Sequence, residues 1–146
     1  MSITCSQARN GINCSVRLGE NQVLGMGTFS FDGITVEDLD ATTFGDTWKR
    51  HCNGLKDGGT VSFSGFYVPY DTTGQDLLRT ALDNSTEITN LRFYIDLTSY
   101  WEPNYSNANA ASYILITAAP VTADKGQLMT CEFQGRVSGN LVLVSQ

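Results

Sequence analysis

The feature that most constrains this fold lies in residues 57–84, where two hydrophobic periods meet across one polar turn. Asp57-Gly58-Gly59 opens a run over residues 60–68 in which Val61 and Phe63 alternate with Ser62 and Ser64. Side chains alternate across a strand, so this run has one apolar and one small polar face. Gly65 predicts a bulge or a close backbone approach, and Pro69 ends the run. Over residues 73–84 Leu77, Leu78, Ala81 and Leu82 share one helical face. Thr73 reads as the N-cap, with Asp76 as its capping-box-like partner, and Asn84 as the stop. One amphipathic helix in a strand-rich chain packs on a sheet or plugs the end of a barrel.

The rest of the chain is strand and turn. Cys14, Val16 and Leu18 alternate with polar neighbours and lead into a Gly19-Glu20-Asn21 turn. Residues 25–31 place Phe29 and Phe31 on one face, and Asp32-Gly33 reads as a hairpin dipeptide. Residues 34–44 form an acidic strand. Residues 44–59 read as a connection anchored by Trp48 and Leu55. Residues 91–97 alternate Leu91, Phe93, Ile95 and Leu97 with polar side chains, and residues 98–109 read as a long polar loop carrying Trp101. Three further strands are expected over 110–119, where both faces are expected to be covered, over 128–137 and over 141–145. Residues 1–12 read as an arm. The expected fold is mainly β, an antiparallel sandwich or barrel of about eight strands with one flanking helix, in a single domain over 1–146.

Charge narrows the function classes. The 146 residues carry a net charge of −6. Glu20, Asp32, Glu37, Asp38, Asp40 and Asp46 occupy a stretch without Lys or Arg. Gripping nucleic acid needs clustered bases, so this chain is expected to repel a polyanion. No apolar run is long enough to read as a signal peptide or a membrane span, and no membrane partner is expected.

Catalytic and metal signals are weak. The one histidine, His51, adjoins Cys52, but neighbours on an extended backbone point apart. Cys5, Cys14, Cys52 and Cys131 contain no C-x-x-C pair, so neither a zinc site nor a cofactor is expected, and only Cys5 with Cys14 is a candidate bridge. Glu37, Asp38 and Asp40 lack calcium-loop spacing. Tyr100, Trp101 and Tyr105 could stack a sugar or anchor a protein contact.

Residues 48–82 resemble the major tail tube proteins of long-tailed phages with non-contractile tails. The resemblance rests on Trp48, Gly54-Leu55-Lys56, Val61-Ser62-Phe63-Ser64-Gly65 and Gly74-Gln75-Asp76-Leu77-Leu78-Arg79. It is supported by residues 91–97 and by Phe133, Gly135, Val137, Ser138 and Gly139. It implies a non-enzymatic virion protein, assembled in the host cytoplasm into stacked, hexameric rings with a β-lined channel for DNA. It implies tape measure, tail tip or baseplate, and terminator proteins as partners. On this reading residues 44–59 form an extended inter-ring loop. Trp48, Leu55, Lys56, Trp101 and Tyr105 become candidate interface residues, and Asp32, Glu37, Asp38, Asp40 and Glu132 candidate lumen acids. The competing readings are a carbohydrate-binding sandwich using Trp101 and Tyr105, and a tail-completion or decoration protein.

Overall fold

The computed structural model describes residues 11–104 and 111–145. Among these residues, twelve strands and one α-helix follow a short 3-10 turn, Gly11–Asn13. The strands are β1 (Ser15–Leu18), β2 (Asn21–Gln22), β3 (Met26–Phe31), β4 (Thr35–Asp40), β5 (His51–Asp57) and β6 (Thr60–Phe66). After helix α1 (Gln75–Asn84) come β7 (Leu91–Tyr94), β8 (Ser99–Pro103), β9 (Tyr113–Ala118), β10 (Val121–Thr122), β11 (Thr130–Ser138) and β12 (Leu141–Ser145). All pairings are antiparallel, as expected. The strand number exceeds the expected eight because short pieces such as β2 and β10 pair without a readable alternation.

One sheet runs β12-β8-β7-β1-β2, and a second runs β10-β11-β6-β3 with β9 also on β11. They face each other as a sandwich. Phe63 of the second sheet stacks on Phe133 at 5.3 Å and meets Phe93 of the first edge-on at 5.7 Å. Phe29 and Phe31 close on the same Phe93 ring at 5.4 and 5.0 Å. Helix α1 adds Leu78 and Ala81 to this core.

At the start of the helix the capping box expected of Thr73 and Asp76 does not form. Gly74 is the N-cap, without a side-chain cap. The carboxylate of Asp71 takes that role, accepting the Gln75 N–H at 3.1 Å and the Leu24 N–H at 2.9 Å. Gln75, only 1% exposed, completes the junction. Its Nε2 donates to the Leu24 and Phe66 carbonyls at 2.6 and 2.9 Å, and its Oε1 accepts the Val68 N–H at 3.0 Å. A Cβ at Gly74 would overlap the Asp71 carboxylate, and one at Gly65 would overlap the Gly25 carbonyl. Gly65 is thus the close backbone approach its sequence suggests. At the other helix end the left-handed residue is Ser85 (φ 53°), one beyond Asn84.

Three other expectations change. Asp32-Gly33 does not turn a hairpin, because β3 pairs with β6 while β4 pairs with β5. Leu97 is exposed, because the Asp96 carboxylate accepts the Thr98 and Ser99 N–H groups and turns the chain into β8. Residues 99–103 are accordingly strand, not loop. The buried face of β9 is Ile114 and Ile116, while Thr117 on the other face is exposed, so only one face is fully covered.

Gln75→Leu strands three backbone groups in the interior, so it should lower unfolding free energy by about 3 kcal/mol. Urea denaturation of the purified variant measures this.

Candidate assembly surfaces

Two surfaces stand apart from the core. The first is an arm made of β4 and β5, which form their own two-stranded sheet. Every residue of β4 is exposed, and every residue of β5 except Gly54. An isolated hairpin is marginal in water, yet this one displays Ile34, Val36, Leu39, Phe44, Trp48 and Leu55, the last two 83% and 82% exposed. The connection expected over residues 44–59 is therefore a strand in its second half. Among the described residues Trp48 and Leu55 join no core; they point into solvent, as does Lys56 opposite Val36.

Polar side chains hold the arm tip in place of a core. Asp40 accepts the Thr42 N–H at 2.9 Å. Asp46 accepts the Thr43 N–H at 2.9 Å and its hydroxyl at 3.1 Å, and lies 3.6 Å from Arg50. Thr42 Oγ1 accepts the Arg50 N–H at 3.0 Å. The Thr42 hydroxyl and N–H hold the Asp40 carboxyl below its ordinary pKa, and the Thr43 N–H and hydroxyl do the same for Asp46.

The second surface is the outer face of the β11-β6-β3 sheet. Register aligns its residues in rows: Thr28, Ser64 and Glu132; Ser30, Ser62 and Gln134; then Thr60 opposite Arg136. Asp32 joins the last row, its carboxylate accepting the Thr60 hydroxyl. The Ser30 and Ser62 hydroxyls lie 2.8 Å apart. One residue along, the rows alternate with the core row Phe29, Phe63 and Phe133.

The five candidate acids therefore divide. Asp32 and Glu132 share the small-polar sheet face, while Glu37, Asp38 and Asp40 ride on the arm. Asp38 Oδ1 lies 3.1 Å from His51 Nδ1. Cys52, opposite Leu39, lies on the other face of β5 from His51, opposite Asp40. Among the described residues no group of three or more His, Cys, Asp and Glu side chains could hold a metal ion.

Trp101 moves out of the loop expected of it. It lies on β8, half-buried against the core, 6.2 Å from Phe31. Tyr100 faces the other way and is buried beside Tyr94 at 4.8 Å, with Arg92 over its ring at 4.8 Å and Arg17 over Tyr94 at 4.5 Å. A sugar-stacking platform on Trp101 and Tyr100 is thereby lost. Tyr105 and Cys5 lie outside the described residues. The arginine–tyrosine ladder escaped the sequence reading; its only signal is Arg and Tyr two residues apart at Arg92 and Tyr94.

No protein-family model and no curated protein sequence matches the chain. Solved structures do. A chain from the tail of an empty gene transfer agent particle, refined helically with C6 symmetry, aligns with a TM-score of 0.71 at 14% identity, covering 94% of this chain and 100% of its own. A chain of an extracellular contractile injection system sheath–tube complex aligns at 0.65 and 11% identity, covering 99% and 100%. The SPP1 tail tube aligns at 0.59 and 12%, covering 95% and 80%. The chain has the tail-tube fold. That fold is the one implied by the resemblance in residues 48–82.

Two outcomes test these surfaces. The Thr42 and Thr43 amide resonances should follow the ionisation of Asp40 and Asp46, with NMR midpoints below the ordinary aspartate value of 3.8. A lowered folded pKa means the tip contacts persist above the ordinary carboxylate range and are lost on acidification through the folded value. For the thiols, Cys14 and Cys52 are exposed, whereas Cys131 is buried and burial pushes its pKa up. Cys52→Ser should remove one fast-reacting thiol from the native protein, while Cys131→Ala should remove one only after denaturation.

Proposed function

We propose that the chain is a tail tube protein: a structural, non-catalytic subunit of a phage-like virion whose copies close into six-fold rings and stack into a channel for DNA. The observation that carries this reading is a tail-tube fold bearing a hairpin arm with no core of its own. A two-stranded sheet that exposes Leu39, Phe44, Trp48 and Leu55 is incomplete until another surface covers it. The C6 symmetry of the gene transfer agent tail supports six copies per ring.

In this reading the arm bridges to the next ring, through Trp48, Leu55 and Lys56. The polar rows of the β11-β6-β3 sheet face the channel, with the free edge of β3 meeting the next subunit in the ring. The hydroxyl and amide side chains of the other rows offer DNA no fixed cation, Asp32 and Glu132 repel its phosphates, and Arg136 is the one base in the rows. Glu37, Asp38 and Asp40 face the channel only where the arm runs along its wall. Solved structures of similar fold include a tube-terminating cap and a baseplate. This supports terminator and tail-tip proteins as partners at the two ends; a tape measure protein inside follows from the tube reading alone. Assembly belongs in the host cytoplasm before the virion is complete.

Negative-stain microscopy of concentrated protein should show rings or hollow filaments. Trp48→Ala should abolish stacking while leaving the thermal midpoint unchanged, because the side chain is exposed to solvent in the subunit. Normal tubes from the variant would remove Trp48 from the contact.

A further inference from the structure

Among the described residues, the exposed large apolar side chains gather at two places, leaving only Ile12, Leu77, Leu97 and Leu143 outside them. One place is the arm. The other is a patch of Leu24, Phe66, Tyr70, Val121, Leu128 and Met129, in which Tyr70 is 90% and Leu128 73% exposed. Hydrogen bonds and register bring the patch together. Gln75 Nε2 donates to the carbonyls of both Leu24 and Phe66. The Tyr67 N–H donates to the Met129 carbonyl. Thr130, two residues after Leu128, lies opposite Phe66 on one side and Thr122 on the other, next to Val121. Tyr70 precedes Asp71, whose carboxylate accepts the Leu24 N–H.

Strand direction fixes where the two places lie. β3 starts beside the patch at Met26 and ends at Phe31, where the chain departs into the arm. β6 starts where the arm returns, at Thr60, and ends in the patch at Phe66. β11 runs from Thr130, opposite Phe66, to Arg136, opposite Thr60. Arm and patch therefore occupy opposite ends of one sheet, separated by the length of β6, about 20 Å. Both strands of the arm are exposed except at Gly54, so the arm does not lie back along the sandwich. Its tip reaches a patch of this kind only on another copy. Charge does not select the contact: at the tip Asp40 and Asp46 stand against Lys49 and Arg50, and before Leu128 Asp124 stands beside Lys125. What the two places share is exposed apolar surface.

We infer that this patch receives the arm of a second copy from the next ring, with Phe44 and Trp48 against Tyr70, Leu128 and Met129. This rests on the tube reading and names the receptor for its inter-ring contact. Two unlike surfaces at opposite ends of one subunit give a heterologous contact, which repeats along an axis without closing. Removal of both apolar surfaces from water drives it.

The first test reads the critical concentration for pelletable tubes. Tyr70 and Leu128 are exposed and outside the core, so Tyr70→Ser and Leu128→Ser leave the fold intact, which circular dichroism checks. Each should raise the critical concentration about tenfold, the effect of losing one large apolar contact. Leu97→Ser, which removes a comparably exposed leucine outside both surfaces, should leave it unchanged. Wild-type assembly by both patch variants, or equal weakening by Leu97→Ser, would overturn the patch as receptor. The second test uses Cys52, which is exposed near the arm tip, opposite Leu39. In tubes of a Cys5→Ser, Cys14→Ser protein, adding Leu128→Cys should let a bis-maleimide join the new thiol to Cys52 of other copies. The product is a ladder on a denaturing gel that continues past six subunits. No ladder from formed tubes, or one that stops at six because the contact closes within a ring, would also overturn the inference. If Trp48→Ala fails to stack while the patch variants stack normally, the arm keeps its role and only its receptor is wrong. A wild-type protein that forms no rings or tubes at any concentration would remove the tube reading and the patch with it.

Discussion

The fold depends on one buried amide. Gln75 ties three segments together: the end of β6, the approach to β3 at Leu24, and the first turn of the helix. An unpaired polar group in this interior costs about 1–3 kcal/mol, so the amide keeps its place only while every partner is present. Asp71 repeats the constraint by holding Leu24 and Gln75 through one carboxylate oxygen. The glycines around them follow from the same geometry: the backbones at Gly25 and Gly65 approach too closely for a side chain, and Gly74 leaves room for the Asp71 carboxylate. The Gly-Gln pair at the head of the helix is thus a structural joint. It fixes how the helix lies on the sandwich.

What the sequence made legible was whatever repeats with a period. Val61, Phe63, Phe93, Cys131 and Phe133 could be placed inside because alternation on a strand leaves few choices. Elements without alternation were misread. Ser99–Pro103 is polar and aromatic on both sides, and Tyr94 and Arg92 cover its outer face. Nothing in its own residues announces that cover. The helix cap was misassigned for a related reason: Thr73 fits the local pattern, but Asp71 wins because it also satisfies Leu24, a contact 47 residues away.

The arm shows the same limit from the other side. Trp48 and Leu55 are large and apolar, and composition alone places such residues inside something. They are indeed set apart, but on the exposed arm rather than in the core. Only the pairing of β4 with β5, rather than β3 with β4, moves them there. Of the five acids singled out by charge, register separates two on a sheet face from three on a hairpin. Charge density along a chain carries no information about which strand a residue will join.

The arm's acids and apolar side chains make opposite demands on a free subunit. A hairpin exposing Leu39, Phe44, Trp48 and Leu55 invites self-association in any register, whereas the proposed stacking into a tube requires one. Asp38, Asp40 and Glu37 give β4 a negative charge that resists pairing with the same strand of another copy. The polar lock at the tip, built by Asp40, Thr42, Thr43, Asp46 and Arg50, holds Trp48 on a formed loop before any partner arrives. Preorganisation of this kind lowers the ordering cost of the contact. In the proposed tube, an arm that is coreless yet preformed suits addition to a growing end in one orientation.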